Sequence, residues 1–255
     1  MATANAVSYC GATPHFVDCD EYGGLDPGAL EAWLQTHTVK AVVCVHVFGH
    51  LCASQRLRAV CDQHRVPLIE DAAQALGTKS AAQYGLLSTF SFNGNKIITT
   101  GGGGAVVTND SDLAKKVRKL ANVSKEDVPH AFWHSDVGFN YRMPNINAAL
   151  GCAQLEALPE ILRRKYALRD AYHNAGLQML PLPRPSNVWL NSAIVDDDIR
   201  HDVVDQLGRD GIECRLSWTP LHYFKPYRNN PRDELRNTIA LASSIVNVPS
   251  GPGII

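Results

Sequence analysis

The chain lacks most of the signals that would place it outside the ordinary globular enzymes. No stretch of its 255 residues approaches the roughly 20 consecutive apolar residues that cross a bilayer, so no membrane partner is expected. There is no charge excess: 24 Lys+Arg face 25 Asp+Glu, a formal net charge of -1. No global field therefore recruits nucleic acid or an anionic membrane, which leaves room only for a local basic pocket. The opening "MATANAVSYCGATPHF" has neither a basic n-region nor a long apolar h-region, so a secretory signal is not expected. Among seven cysteines, at 10, 19, 44, 52, 61, 152 and 214, no Cys-x-x-Cys pair occurs. Buried free thiols in a reducing cytoplasm fit this pattern better than disulfides or zinc. Internal repeats and low-complexity tracts are also absent.

What is present is an ordinary core-forming composition, 45% hydrophobic and 19% charged. The first half alternates helix and strand patterns. "ATANAVSYCGA" reads as a short helix ending near Gly11, and "HFVDCD" as a short strand. "LDPGALEAWLQTH" starts a helix at Asp26-Pro27, and "VKAVVCVHVF" has the continuous apolar run of a strand buried on both faces. "ASQRLRAVCDQHR" is a helix, and "VPLIEDAAQA" is a strand ending on two acids. "LSTFSF" and "GAVVTND" read as strands, and "SDLAKKVRKLAN" as an amphipathic helix. Such alternation predicts an α/β fold with a mainly parallel sheet. After about residue 145 a long helical pattern appears, interrupted at Pro159, followed by a strand, a helix and a strand. The chain thus divides into an α/β body over residues 1–150, and a connecting helix plus a small α+β unit over 151–255.

"FSFNGNKIITTGGGGAVVT" is the most unusual stretch. It is not a phosphate loop, because Lys96 precedes the glycines and a strand follows them. It fails the dinucleotide pattern, because Val106 stands at the last glycine position counted from Gly101. The glycines instead allow unusual backbone angles or close approach of another segment. Two histidine pairs, His46/His50 and His130/His134, have i,i+4 spacing, but the first sits at a strand exit and the second lacks an intervening glutamate. No metal is expected. A third chemistry is a carbonyl-reactive amine. Lys96 has no carboxylate within five residues, and desolvation among strands would favour its neutral form. Taken alone, a lysine at a strand end reads better as a solvated or salt-bridged surface group. Asp71 alters the balance, because it sits at a strand end where α/β ligands bind. A buried aspartate there can keep a pyridine nitrogen protonated, and Gln74 could bond a phenolic oxygen on the same ring. Asp71 could equally cap a helix beginning "DAAQA".

"EDAAQALG", "STFSFNGNKIITTGGGGAVVTND", "VGFNYRMPNINAALGCAQLE" and "WTPLHYFKPY", in that order along nearly the whole chain, resemble pyridoxal-phosphate sugar aminotransferases of the DegT/StrS family. The wording looks most like the legionaminic-acid branch, whose members aminate the 4-keto group of a UDP-linked 6-deoxy-N-acetylhexosamine. The resemblance implies a type I aminotransferase fold and a cytoplasmic homodimer acting in polysaccharide biosynthesis. It implies pyridoxal 5'-phosphate as cofactor, glutamate as amino donor and a nucleotide sugar as acceptor. It makes Lys96 the catalytic lysine that holds the cofactor and carries the proton. Asp71 is matched to the residue at the pyridine nitrogen, Gln74 to a ring contact, and Ser91 to a phosphate ligand. Asn140 is matched to a phosphate ligand from the neighbouring subunit, and His222 to a residue facing the sugar. Some relatives replace the lysine with histidine and act as dehydratases, which Lys96 argues against.

Two departures from the family pattern carry expectations of their own. "TKSAAQYGLL" is short, so a loop beside the cofactor is trimmed. "MATANAVSYCGATPHFVD" resembles the middle of the large domain, so that residues 1–150 form a partial, N-terminally truncated cofactor-binding domain. A phosphate-binding turn and a ring-stacking aromatic that precede this point in relatives have no counterpart, and weak cofactor binding is expected. Two rivals to transamination share every motif: a truncated, non-catalytic remnant, and a nucleotide-sugar binding module. Colour separates them, because only the aminotransferase gains a visible or near-ultraviolet band with cofactor.

Overall fold

A computed structural model describes residues 1–254. The sheet that organises the first half contains β1 (Val42–Val45), β2 (Leu68–Asp71), β3 (Leu87–Ser91) and β4 (Gly104–Val107), in that spatial order. β1, β2 and β3 run parallel, and β4 closes the edge antiparallel to β3. Helices α1 (Ala2–Tyr9), α2 (Pro27–Thr36), α3 (Ser54–Gln63) and α4 (Ser111–Ala121) accompany it. α2 starts where expected, with Asp26 Oδ1 accepting from the Ala29 amide at 2.7 Å and Pro27 in the first turn. α2 and α3 bury Leu30, Leu34, Leu57 and Cys61 against Val42, Cys44 and Leu68, forming the core beneath the sheet.

A two-stranded ribbon of β5 (Lys125–Glu126) and β6 (Trp133–His134) leads into the long helix α5 (Asn145–Asn174). Beyond it β7 (Asn191–Ile194), β8 (Arg215–Leu216) and β9 (Ile245–Val248) form an antiparallel sheet in the order β7-β9-β8, packed with α6 (Asp197–Arg209) and α7 (Arg236–Ser244). Met179, Ala193, Cys214 and Val246 form the core of this second unit. The boundary expected near residue 150 lies inside α5.

Three expectations need correction. "HFVDCD" forms no strand, only single bridges from Phe16 to Arg232 and from Cys19 to Leu25. Its Asp18 is engaged elsewhere. The carboxylate accepts from the Asn237 and Thr238 amides and the Thr238 hydroxyl, capping α7 from across the chain. "VKAVVCVHVF" yields a four-residue strand with alternating burial. The chain then breaks into a short 3-10 turn, Val47–Gly49, with Phe48 at φ 59° and Gly49 at φ 87°. Pro159, finally, does not interrupt α5. An interior proline costs a helix roughly 3 kcal/mol. Here Pro159 and Leu155, whose carbonyl is freed, face solvent. Leu158, Ile161 and Leu162 on the opposite side pack against Ile97, Ile98 and Trp189 and hold the helix through.

Candidate active site

The carboxyl ends of β2 and β3 bring the motif residues to one edge of the sheet. Asp71 is the last residue of β2, in register with Thr89 of β3, and Ser91 ends β3 two residues later. No helix begins at Asp71. Its Oδ1 accepts from the Ala73 amide at 3.1 Å, and its Oδ2 accepts from the Thr3 hydroxyl of α1 at 2.7 Å. Two donors on separate elements thus fix the orientation of the carboxylate. The Ser91 hydroxyl accepts from the Asn93 amide at 3.3 Å, at the start of the loop that carries Lys96.

That loop is closed by its own backbone. Phe92 donates to the Gly103 carbonyl and its carbonyl accepts from the Thr100 amide, while Lys96 donates to the Asn93 carbonyl at 3.0 Å. Gly101 and Gly103 take positive φ, at 77° and 102°, to turn the chain back into β4. A side chain on Gly104 would collide with the Phe90 carbonyl, so the glycine run is what lets β4 return beside β3. The glycines shape the turn that presents the lysine.

Lys96 is half-buried, and its Nζ lies 4.4 Å from the centroid of the Trp189 ring. Burial pushes its pKa below the usual lysine value, and the negative charge of Asp71 opposes that shift. Gln74 is oriented by the strained turn after β1: its Oε1 accepts from the Phe48 amide at 2.7 Å. A backbone amide only donates, so the Nε2 hydrogens of Gln74 are left to donate elsewhere.

Among the described residues, no hydrogen bond joins the side chain of Asn140 or His222 to this cluster. Asn140 is exposed and bridges to Asn122 at the end of α4, with the neighbouring Phe139 and Tyr141 amides bonded to Leu120 and Ala121. His222 lies in the short 3-10 helix Leu221–Tyr223, nearly buried, with its ring 4.1 Å from that of Tyr223. Burial lowers its pKa, and the Arg232 charge adds to this.

Several residues at the site carry no motif. Trp189 lies under the lysine, held by its Nε1 donating to the Asn95 carbonyl at 2.7 Å. Asn187, fully buried, donates to the Gln74 and Leu76 carbonyls, each at 2.8 Å, and accepts from the Trp189 amide. A side chain on Gly49 would strike Asn187, which explains the glycine beside Phe48. In sequence, Asn187 and Trp189 are an asparagine and a tryptophan after a proline-rich loop, with nothing to mark them.

The histidine pair His46/His50 does not converge. His46 Nε2 faces Glu70 Oε1 at 3.3 Å, and its Nδ1 accepts from the Cys52 amide. The second oxygen of Glu70 accepts from the Tyr84 and Gly85 amides and the Ser88 hydroxyl. His46 also lies with Cys44 and Cys52 in a buried group whose donor atoms fall within 4.8 Å of one another. The Cys52 thiol there donates to the Val45 carbonyl at 3.1 Å. His50 is buried separately, and desolvation, helped by the charges of Arg169 and Arg184, lowers its pKa to about 3.

Known proteins resemble the chain over its whole length. The family model described as the DegT/DnrJ/EryC1/StrS aminotransferase family matches residues 1–255. The putative pyridoxal phosphate-dependent aminotransferase EpsN of Bacillus subtilis (strain 168) is 38% identical over 240 residues, covering 87% of this chain and 62% of that protein. A GDP-perosamine synthase of Caulobacter vibrioides is 37% identical over 270 residues, covering 100% of this chain and 72% of that one. The crystal structure of DesI in the presence of its TDP-sugar product superposes with a TM-score of 0.89 at 33% identity, over 100% of this chain and 68% of that one. Helicobacter pylori PseC, an aminotransferase involved in the biosynthesis of pseudoaminic acid, shares the fold at a TM-score of 0.92 and 24% identity, over 100% of this chain and 72% of that one. The chain thus spans 62% to 72% of the length of these relatives.

Proposed function

Because the chain belongs to the DegT/DnrJ/EryC1/StrS aminotransferase family, we propose that it binds pyridoxal 5'-phosphate and aminates a nucleotide-linked keto sugar. The observation that carries this reading is a half-buried amine, Lys96, set against the Trp189 ring in the loop after β3, with the carboxylate of Asp71 ending the neighbouring parallel strand β2. Four of the residues present suit the cofactor. Asp71 would face the pyridine nitrogen, Gln74 Nε2 would donate to the phenolic oxygen, and Ser91 would donate to the phosphate. Lys96 would hold the aldehyde carbon. When bound, the cofactor supplies an electron sink for the carbon that loses its proton.

The rest of the work falls to this chain's own groups. Burial lowers the pKa of Lys96 and so raises the share of neutral amine that can accept a proton. The Trp189 ring fixes the lysine's position, and the Asp71 charge limits how far the amine is neutralised. Lys96 would take the proton from the donor carbon and return it to the acceptor side. Positioned proton transfer of this kind contributes about 10²–10⁴-fold.

In finer detail, the acceptor we propose is a UDP-linked 4-keto-6-deoxy-N-acetylhexosamine, as in the legionaminic-acid branch, with glutamate as donor and His222 facing the sugar. The active form would be a cytoplasmic homodimer in which Asn140 of the partner subunit completes the phosphate site. The exposure of Asn140 among Phe132, Trp133, Tyr141 and Ile146 supports that arrangement. No helix among the described residues is long and apolar enough to cross a membrane. Incubation with glutamate, cofactor and UDP- or GDP-linked 4-keto-6-deoxy sugars tests the reading. Mass spectrometry should show the keto oxygen replaced by an amino group in the UDP-linked N-acetyl sugar. Amination of the GDP sugar alone would contradict the finer assignment, and amination of neither would contradict both.

A further inference from the structure

Trp218 is the exposed member of an aromatic stack that begins under the Lys96 amine. Lys96 Nζ lies 4.4 Å from the Trp189 ring centroid. The Trp189 and Trp218 rings are 6.1 Å apart with their planes 21° from parallel. Trp218 in turn stacks on Phe48 at 5.1 Å and 19°. Trp189 and Phe48 are buried, whereas Trp218 is 49% exposed. The underside of this platform is locked. Phe48 is held in the left-handed region with its amide on Gln74, and Asn187 ties Gln74 to Trp189. A half-exposed indole is thereby positioned through the same residues that set the lysine and the glutamine.

We infer that Trp218 receives the hexose ring of the nucleotide-linked sugar and sets the angle at which its keto carbon meets the site. This rests on the transamination reading above. The acceptor carbon belongs to the hexose itself, so that ring must come within bonding reach of the nitrogen delivered beside Lys96. The nucleobase stands farther away, beyond a ribose and a diphosphate. Trp218 is one ring-to-ring step beyond the ring that underlies the amine, within the range of the hexose. A pyranose offers a face of weakly positive C–H groups, and the negative face of an aromatic ring is complementary to it. Aromatic walls with a few polar groups are the usual lining of small-molecule sites. The role is binding and orientation, so it belongs to the sugar half-reaction and leaves the glutamate half-reaction alone.

The test is calorimetric titration of the protein and its Trp218→Ala and Trp218→Phe variants, with circular dichroism to check folding. The probes are free UDP, free GDP, a UDP-linked 4-amino-4,6-dideoxy-N-acetylhexosamine and a GDP-linked 4-amino-4,6-dideoxyhexose. For whichever amino-sugar nucleotide the native protein binds, Trp218→Ala should weaken affinity about tenfold. The free nucleotide should bind as before, and Trp218→Phe should restore most of the loss. The KM for the sugar should rise in step while that for glutamate holds. Unchanged sugar-nucleotide affinity in a folded Trp218→Ala variant would overturn the inference and leave the transaminase reading standing. Equal loss of free nucleotide would also overturn it, by assigning Trp218 to the base. Failure of the native protein to bind any of the probes would overturn both.

Discussion

Lys165 is a buried amine of a different kind from Lys96. It sits inside α5 with its Nζ donating to the Trp189 and Ser250 carbonyls, and no carboxylate among the described residues pairs with it. Burial alone lowers its pKa from 10.5 to about 8. Below about pH 8 both the folded and the unfolded chain carry the proton, and the folded state bears the whole desolvation cost. Between about 8 and 10.5 the unfolded chain still holds a proton that the folded chain has released, so folded stability gains as pH rises. Urea unfolding of the protein and of Lys165→Met should show the variant's relative advantage falling between about pH 7.5 and pH 10. A difference independent of pH would contradict this. At this scale the sequence singled out Lys96, Asp71 and Gln74 by chemistry that can be read locally, and Ser91 through the family resemblance of its motif. What was not legible is that Trp189, Trp218, Phe48 and Asn187 come together. They meet only through the packing of segments far apart in the chain, and an isolated tryptophan or asparagine carries no spacing signal.

α7 shows how one element can depend on a distant residue. Its own N-cap position is Leu235, in the left-handed region, with no side chain to cap the helix. Asp18 supplies the missing acceptor and is held below the usual carboxylate pKa. Burial opposes this, but bonds from Thr238, Asn237 and Cys19 prevail. Asp18→Ala should cost about 0.5–2 kcal/mol, as the loss of a helix cap does. The contribution is present above the ordinary carboxylate pKa of 3.8 and is lost as pH falls through the depressed folded value. Thermal melts should therefore show a gap between protein and variant at neutral pH that narrows as the solution is acidified below that ordinary value; a constant gap would count against the cap. The same residue explains why "HFVDCD" reads as a strand yet forms none, since apolar alternation does not reveal where a carboxylate's partners lie. Pro159 misleads in the opposite direction. Propensity argues for a break, and packing of Leu158, Ile161 and Leu162 on the lysine-bearing loop overrides it. Pro159→Ala should raise stability, by up to about 3 kcal/mol, as measured by denaturant unfolding. A loss would mean that the proline is favoured by the fold.

Over the whole molecule, exposed apolar residues crowd the segment from Phe132 to Ile146, with Phe132 87% and Ile146 86% exposed and Phe139 stacked on Tyr141. A second copy of the chain covering this surface is the dimer proposed above, and it would carry Asn140 to the partner's cofactor phosphate. Sedimentation at micromolar concentration should give a dimer. Phe132→Glu combined with Ile146→Glu should give a monomer with weakened cofactor affinity. A native monomer that binds cofactor and aminates sugar would exclude the shared site. The α/β class and the mainly parallel sheet were legible because strand and helix periods alternate along the first half. The antiparallel return of β4 was not, since only the pairing of Gly104 with Ser91 reveals it.

The central claim is that Lys96 is the amine that holds pyridoxal phosphate. Borohydride reduction of the cofactor-loaded protein, followed by peptide mass mapping, tests it directly. The pyridoxyl mass should appear on the peptide containing Lys96, and Lys96→Arg should abolish it while leaving the fold intact. The mass on any other lysine, or its persistence in the variant, would contradict the account.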